Sequence, residues 1–273
     1  KQGGYGVTHI GIIKRADNKV FTSKLAEEIL EALFYLLSFS RGFWVHPVLP
    51  IGYSRKNDKI WEIWGNYLVS PWKSVLTWCD HHNISFLSEI FTGFMKRWND
   101  PNYKETIKAA IYWYIRSNIQ AAGTDGSIIL TQAALERLSW DYHVNTKKSL
   151  SPNGFEKLPA SDRIKLVLSQ AGIPLTVPQN LKKLASISKR HNFDGPSVFT
   201  NVRNRIVHPG RKKRKIDVAD VSLFECWNLG LWYLELLLLS IFEYNGDYAN
   251  RLKQGRWVGQ TEKLPWCNTE QQH

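Results

Sequence analysis

The run WNLGLWYLELLLLSIFEY at residues 227–244 constrains the fold more than any other part of the chain. Its only charges are Glu235 and Glu243, so a helix built from it is apolar on every side. Such a helix belongs either at the centre of a bundle or across a bilayer. A span needs about 20 consecutive apolar residues. Two carboxylates in a shorter run favour the bundle centre, and the rest of the chain must then supply helices to surround it.

Those helices are legible from residue 82 onward. Apolar periodicity predicts helices over 84–98, 103–122, 127–142, 161–171 and 179–190, one beginning near Pro196, and a last one over 218–244. Asn102 with Glu105 resembles a capping box, Thr124 with Asp125 is expected to cap the helix from Ser127, and Asn245-Gly246 ends the last helix. Residues 145–160 are polar with two prolines and read as a loop. No internal repeat is visible.

Before residue 82 the pattern differs. Residues 7–13 (VTHIGII), 43–53 (FWVHPVLPIGY) and 59–69 (KIWEIWGNYLV) are rich in β-branched and aromatic residues and read as strands. Residues 22–40 read as one helix, opened at Thr22 and stopped by Gly42. The fold expected is mainly α: a helical bundle at 82–250, a small β-containing α+β part with one helix at 1–81, and a C-terminal tail at 251–273.

At 273 residues, 43% of them hydrophobic, the chain can bury a sizeable core. It has no initiator Met and a single methionine, Met95, so it is expected to begin inside a longer protein or after trimming. No secretory signal is expected as far as this stretch shows. Cys79, Cys226 and Cys267 are few and odd in number, which argues against a disulfide framework and for a cytoplasmic protein outside the membrane. A formal net charge of +12 favours a polyanionic partner such as nucleic acid or an anionic membrane surface.

Metal chemistry finds little footing. CDHH at 79–82 has ligand residue types, but four successive residues do not converge easily on one tetrahedral ion, and no second cluster stands at suitable spacing. No metal or cofactor is expected. GGYG at 3–6 lacks the Lys and helix of a phosphate loop. His9, His46, His143 and His191 read as structural, and Trp113, Trp140, Trp227 and Trp232 sit in apolar periodic runs that core packing explains.

Chemistry concentrates at residues 199–215, FTNVRNRIVHPGRKKRK. Val202, Ile206 and Val207 form an apolar face that does not need Arg203, Asn204 or His208. Pro209 disfavours helical geometry at the residue before it, so His208 is expected at the helix edge, held but accessible. Imidazole exchanges protons near neutral pH. Asn204, one helical turn earlier, can orient that ring. Arg203 lies about 140° from His208 around an ideal helix, yet a guanidinium can swing to the helix end and clamp a phosphate. Arg211, Lys212, Lys213, Arg214 and Lys215 follow as an unbroken cationic run that can track an RNA backbone.

The segment RNRIVH at 203–208 resembles the R-x4-H signature of HEPN domains, including the polar residue after the Arg. ALERLSW at 134–140, YANRL at 248–252, LPW at 264–266, VTHIG at 7–11 and SRGFWVHPVLPIGY at 40–53 resemble a bacterial HEPN family related to the ApeA-type defence proteins. The resemblance implies a helical bundle and a metal-independent endoribonuclease, working as a homodimer with a composite active site. It would leave 2′,3′-cyclic phosphate and 5′-OH ends. His208 would be the general acid/base, Arg203 the clamp on the charged phosphorane and Asn204 a positioning group, with Arg205 joining the 211–215 run in RNA binding. It further implies a defence or toxin effector acting on RNA, tRNA among the candidates, with a neutralising or activating partner protein. Noncatalytic members of the same class make an RNA-binding or dimerisation module the alternative.

Overall fold

A computed structural model describes residues 5–80, 82–83, 85–208, 221–253, 255, 257 and 259–267. Its architecture is mainly α with a small β part. At the centre lies the last helix, α9 (Leu223–Ile241), buried along almost its whole length. By length and composition it could cross a membrane, but 78% of that window is buried inside the protein. It starts at Leu223, where the Ser222 hydroxyl accepts the Glu225 N–H at 3.2 Å, and residues 218–220, expected to belong to it, lie outside the described residues.

Around α9 stand the amphipathic helices. α3 (Lys104–Asn118) and α4 (Gly123–Trp140) form a hairpin, and α4 also lies along α9. α6 (Ala160–Gln170) and α8 (Gly195–Val207) pack on α4, and α7 (Lys182–His191) packs on α8 and α9. α1 (Ser23–Arg41) and α2 (Ser85–Trp98) close the opposite side through α3 and, for α2, through α9.

α1 is bounded as its sequence predicts. The Thr22 hydroxyl accepts the Leu25 N–H at 3.2 Å, and Gly42 adopts φ +71° with its N–H on the Ser38 carbonyl at 2.9 Å. Gly42 is needed twice over, because a Cβ there would sit 2.5 Å from the Asn118 Nδ2.

Other boundaries differ from expectation. The Asn102/Glu105 capping box does not form: the Asn102 backbone N–H and side-chain amide both turn to the Asp100 carboxylate, at 2.9 and 3.2 Å, and Tyr103 opens α3 without a side-chain cap. α4 begins at Gly123, which places Asp125 inside the first turn, where it favours the helix dipole but caps nothing. The C-terminal end of α4 widens into a π-helical turn, Asp141–Thr146. There the buried Asp141 carboxylate gathers Thr106, Arg137 and Asn145. The polar loop expected at 145–160 contains a short helix, α5 (Pro152–Lys157), capped by Ser151 and pinned by Phe155 edge-on to Trp140.

The β part is smaller than its sequence suggests. β1 (Ile51–Tyr53) pairs antiparallel with β2 (Lys59–Glu62), with a register shift between Gly52 and Tyr53. Of the strand expected over 43–53 only these last residues pair, because Pro47 and Pro50 have no N–H to give a ladder. Of 59–69 only the first four residues form a strand. Residues 7–13 form none; Val7, Ile10 and Ile12 are exposed and Ile13 half-buried.

The C-terminal segment is fastened to the bundle. β3 (Asp247–Tyr248) pairs antiparallel with β4 (Glu262–Lys263), and Arg251, Leu252 and Leu264 are buried. Arg251 reaches α9 at Glu235 and α3 at Asn118, at 2.9 Å for the latter. Asn118 in turn donates to the carbonyls of Gly42 and Leu76 at 3.0 and 2.9 Å. Distant pieces of chain thereby meet at one buried polar knot. His143 and His46 are structural, the first bonded to the Ser149 hydroxyl at 2.9 Å and the second packed on Phe34; burial lowers both pKa values.

Candidate active site

α8 positions Arg203, Asn204 and Arg205, and His208 follows its last residue. Asp194 caps it by accepting the Ser197 N–H at 2.8 Å, and Pro196 fills its first turn. Val198, Phe199 and Val202 form its buried face. The contact with α9 is close: a Cβ on Gly195 would meet the Tyr233 hydroxyl at 1.9 Å, and one on Gly230 would meet the Phe199 ring at 2.4 Å. Those two approaches fix the rotation of α8, and with it the direction in which Arg203 and Asn204 leave the helix.

His208 is the first residue past the helix. Its φ of −127° and ψ of 69° are non-helical, as a residue before proline requires, and its N–H donates to the Asn204 carbonyl at 3.0 Å. The side chain is exposed. His208 is thus open to solvent while its backbone is anchored to the last turn.

Arg203 is half-buried and Asn204 exposed. The Arg203 Nη1 donates to the Asn204 Oδ1 at 3.2 Å, so the recorded contact of the Asn204 side chain is with the arginine. Expectation had paired Asn204 with the histidine ring; here it steadies one arm of the guanidinium. The Arg203 Nε is shielded from water and has no acceptor among the described residues. A buried donor left in that state carries a desolvation cost that an arriving acceptor relieves.

Arg205 is half-buried on the same helix. Arg211, Lys212, Lys213, Arg214 and Lys215, expected to bind RNA, lie outside the described residues.

One cationic element was missed by sequence reasoning. α7, packed against α8, buries Leu184 and Ile187 and exposes Lys182, Lys183, Lys189 and Arg190. The signal was present in the spacing of KKLASISKR, where basic residues flank two buried positions. A second link was not legible: the Glu225 carboxylate on α9 accepts the N–H groups of Lys183 and Leu184, at 3.3 and 2.9 Å, and so caps α7 from a distant part of the chain. Among the described residues no group of three or more His, Cys, Asp or Glu side chains is placed to hold a metal ion.

Comparison with known proteins gives the chain relatives. A family model described as the YopA C-terminal domain matches residues 100–263, and one described as the YopA central domain matches residues 1–75. The SPbeta prophage-derived uncharacterized protein YopA of Bacillus subtilis (strain 168) is 33% identical over 269 residues, covering 97% of this chain and 59% of the relative. The chain therefore spans somewhat under two thirds of that relative's length. No solved structure matches.

Proposed function

The chain belongs to the YopA C-terminal domain family, and we propose that it is a HEPN-type endoribonuclease that needs no metal and works as a homodimer in the cytoplasm. The observation that carries the reading is Arg203: a guanidinium held on a rigid helix with its Nε desolvated and lacking an acceptor among the described residues, five residues before an exposed histidine. A phosphate oxygen is the acceptor such a fork fits best.

In the proposed reaction, a His208 imidazole takes the proton of a ribose 2′-OH, and the oxygen attacks the adjacent phosphorus. Arg203 holds the charge that builds on the phosphorane. The bond to the 5′-oxygen breaks as that oxygen receives a proton, leaving a 2′,3′-cyclic phosphate and a 5′-OH. Two His208 rings in the dimer divide the roles of base and acid. Asn204 acts through Arg203 as a positioning residue. Net charge of +12 and the exposed lysines of α7 support a polyanionic substrate. DNA, lacking the 2′-OH, resists.

The test is incubation of labelled tRNA and unstructured RNA with the purified chain in EDTA, beside His208→Ala. Cleavage by the parent and none by the variant is the expected result. Equal cleavage by both removes His208 from the chemistry. Intact RNA that is nevertheless bound tightly would favour a noncatalytic RNA-binding module.

A further inference from the structure

Of the 21 large apolar side chains exposed among the described residues, 15 lie before residue 80. Ile10 is 93% exposed, Trp64 76% and Ile60 69%, values that belong to residues with nothing against them. The helical bundle, though it holds most of the chain, shows no such concentration. Exposed apolar side chains concentrated in one stretch of sequence point to a surface that a partner segment covers.

The backbone of the same region is equally unfinished. β1 and β2 form a two-stranded hairpin of three and four residues, an arrangement of marginal stability alone in water. Among the described residues neither strand has another neighbour, so each presents an edge that can accept a further strand. Residues 7–13 carry a strand-forming sequence and belong to no strand.

We propose that the exposed apolar residues and open strand edges of this N-terminal region receive the part of the family's longer chain that precedes the central domain, which adds strands beside β1–β2 and residues 7–13 and covers Ile10, Ile60 and Trp64. The relatives identify the occupant. Residues 1–75 match a domain called central and 100–263 one called C-terminal, while the matched region is only 59% of the Bacillus subtilis relative. In the family's longer chain the part ahead of a central domain joins it at its N-terminal end, the end that carries residues 7–13. The inference is independent of His208 and of any nuclease activity.

Hydrogen exchange of two whole proteins tests it: this chain, and the full-length Bacillus subtilis relative. The amides of residues 7–13, Ile51–Tyr53 and Lys59–Glu62 are expected to exchange at least tenfold more slowly at the aligned positions of the full-length relative than in this chain. Equal, fast exchange in both proteins would overturn the proposal. So would slow exchange in this chain that grows with its concentration, since a second copy would then be the occupant. In this chain alone, Ile10→Glu and Ile60→Glu should leave the melting temperature unchanged; a fall of several degrees would mean the face is already covered from within, and would overturn it too.

Discussion

Arg251 and Glu235 meet in the interior as a two-pronged ion pair, Nε to Oε2 at 2.8 Å and Nη2 to Oε1 at 2.6 Å, with side chains 0% and 1% exposed. The Tyr114 hydroxyl donates to the same Oε1 at 2.7 Å. This knot joins α9 to α3 and to the segment after β3, and its value depends on its completeness. Removing one ion strands the other.

Arg251→Met is therefore expected to cost about 3–5 kcal/mol, because it leaves a buried carboxylate with a single neutral donor. The pair Arg251→Met with Glu235→Leu should recover most of that loss, since burying two apolar groups avoids both desolvation penalties. Urea unfolding of the three proteins measures it. A double variant no more stable than Arg251→Met would show that the pair contributes more than its own mutual neutralisation.

Gly93 lies inside α2, where glycine is unfavourable by about 1 kcal/mol relative to alanine. A Cβ there would nevertheless fall 1.7 Å from the backbone carbonyl oxygen of Phe242, at the end of α9. The close approach outweighs the propensity, so Gly93→Ala should lower stability by about 1–3 kcal/mol. A thermal melt reads the sign: a gain would mean that α2 does not lie this close to α9.

Asp194 joins the start of α8 to α6 through Lys165. Burial pushes its carboxyl pKa up, but the Lys165 ammonium and the Ser197 N–H outweigh burial and hold it below the ordinary value. A depressed folded-state pKa gives stability that is present above the unfolded value, about 3.9, and is lost as pH falls through the folded one. Asp194→Asn keeps a capping oxygen and loses the charge, so its deficit relative to the parent should be visible at neutral pH and disappear in acid. Asp194→Ala also loses the cap, a further cost of about 1 kcal/mol. Urea midpoints of the three proteins, taken across that pH range, check both statements.

The features legible in the sequence were those set by neighbours along the chain. Thr22 and Gly42 bounded α1, Pro209 turned His208 out of α8, and the unbroken apolar run of α9 placed it at the centre. Features decided by distant partners were not legible. One local feature was misread as well: Asn102 turned to Asp100, two residues back, rather than pairing with Glu105. Residues 7–13 have the composition of a strand, but a strand also needs a neighbour, and composition does not supply one. Glu235 was legible as a charge favouring the bundle centre, but its partners Arg251 and Tyr114 were not. In the candidate site, the residue types could be read in advance. That the Arg203 Nε is buried with no acceptor among the described residues emerged only from packing; the basic face of α7 stood in the spacing of KKLASISKR and was overlooked.

His208 and Arg203 should separate activity from stability. His208 is exposed, so His208→Ala should leave the urea midpoint unchanged. Arg203→Ala should cost little, or gain slightly, because it removes a buried donor with no acceptor among the described residues. Both should abolish cleavage, with Arg203→Lys recovering little because an ammonium lacks the fork. A variant that loses activity only in proportion to lost folding would assign its residue to structure.

The measurement that bears most directly on the central claim is the chemistry of the product ends after incubation of RNA with the chain in EDTA. The account predicts 2′,3′-cyclic phosphate and 5′-OH termini, absent with His208→Ala and absent wherever a 2′-deoxynucleotide replaces the ribose at the cleaved position. Products bearing 5′-phosphate ends, or cleavage that continues through the deoxy position, would contradict it.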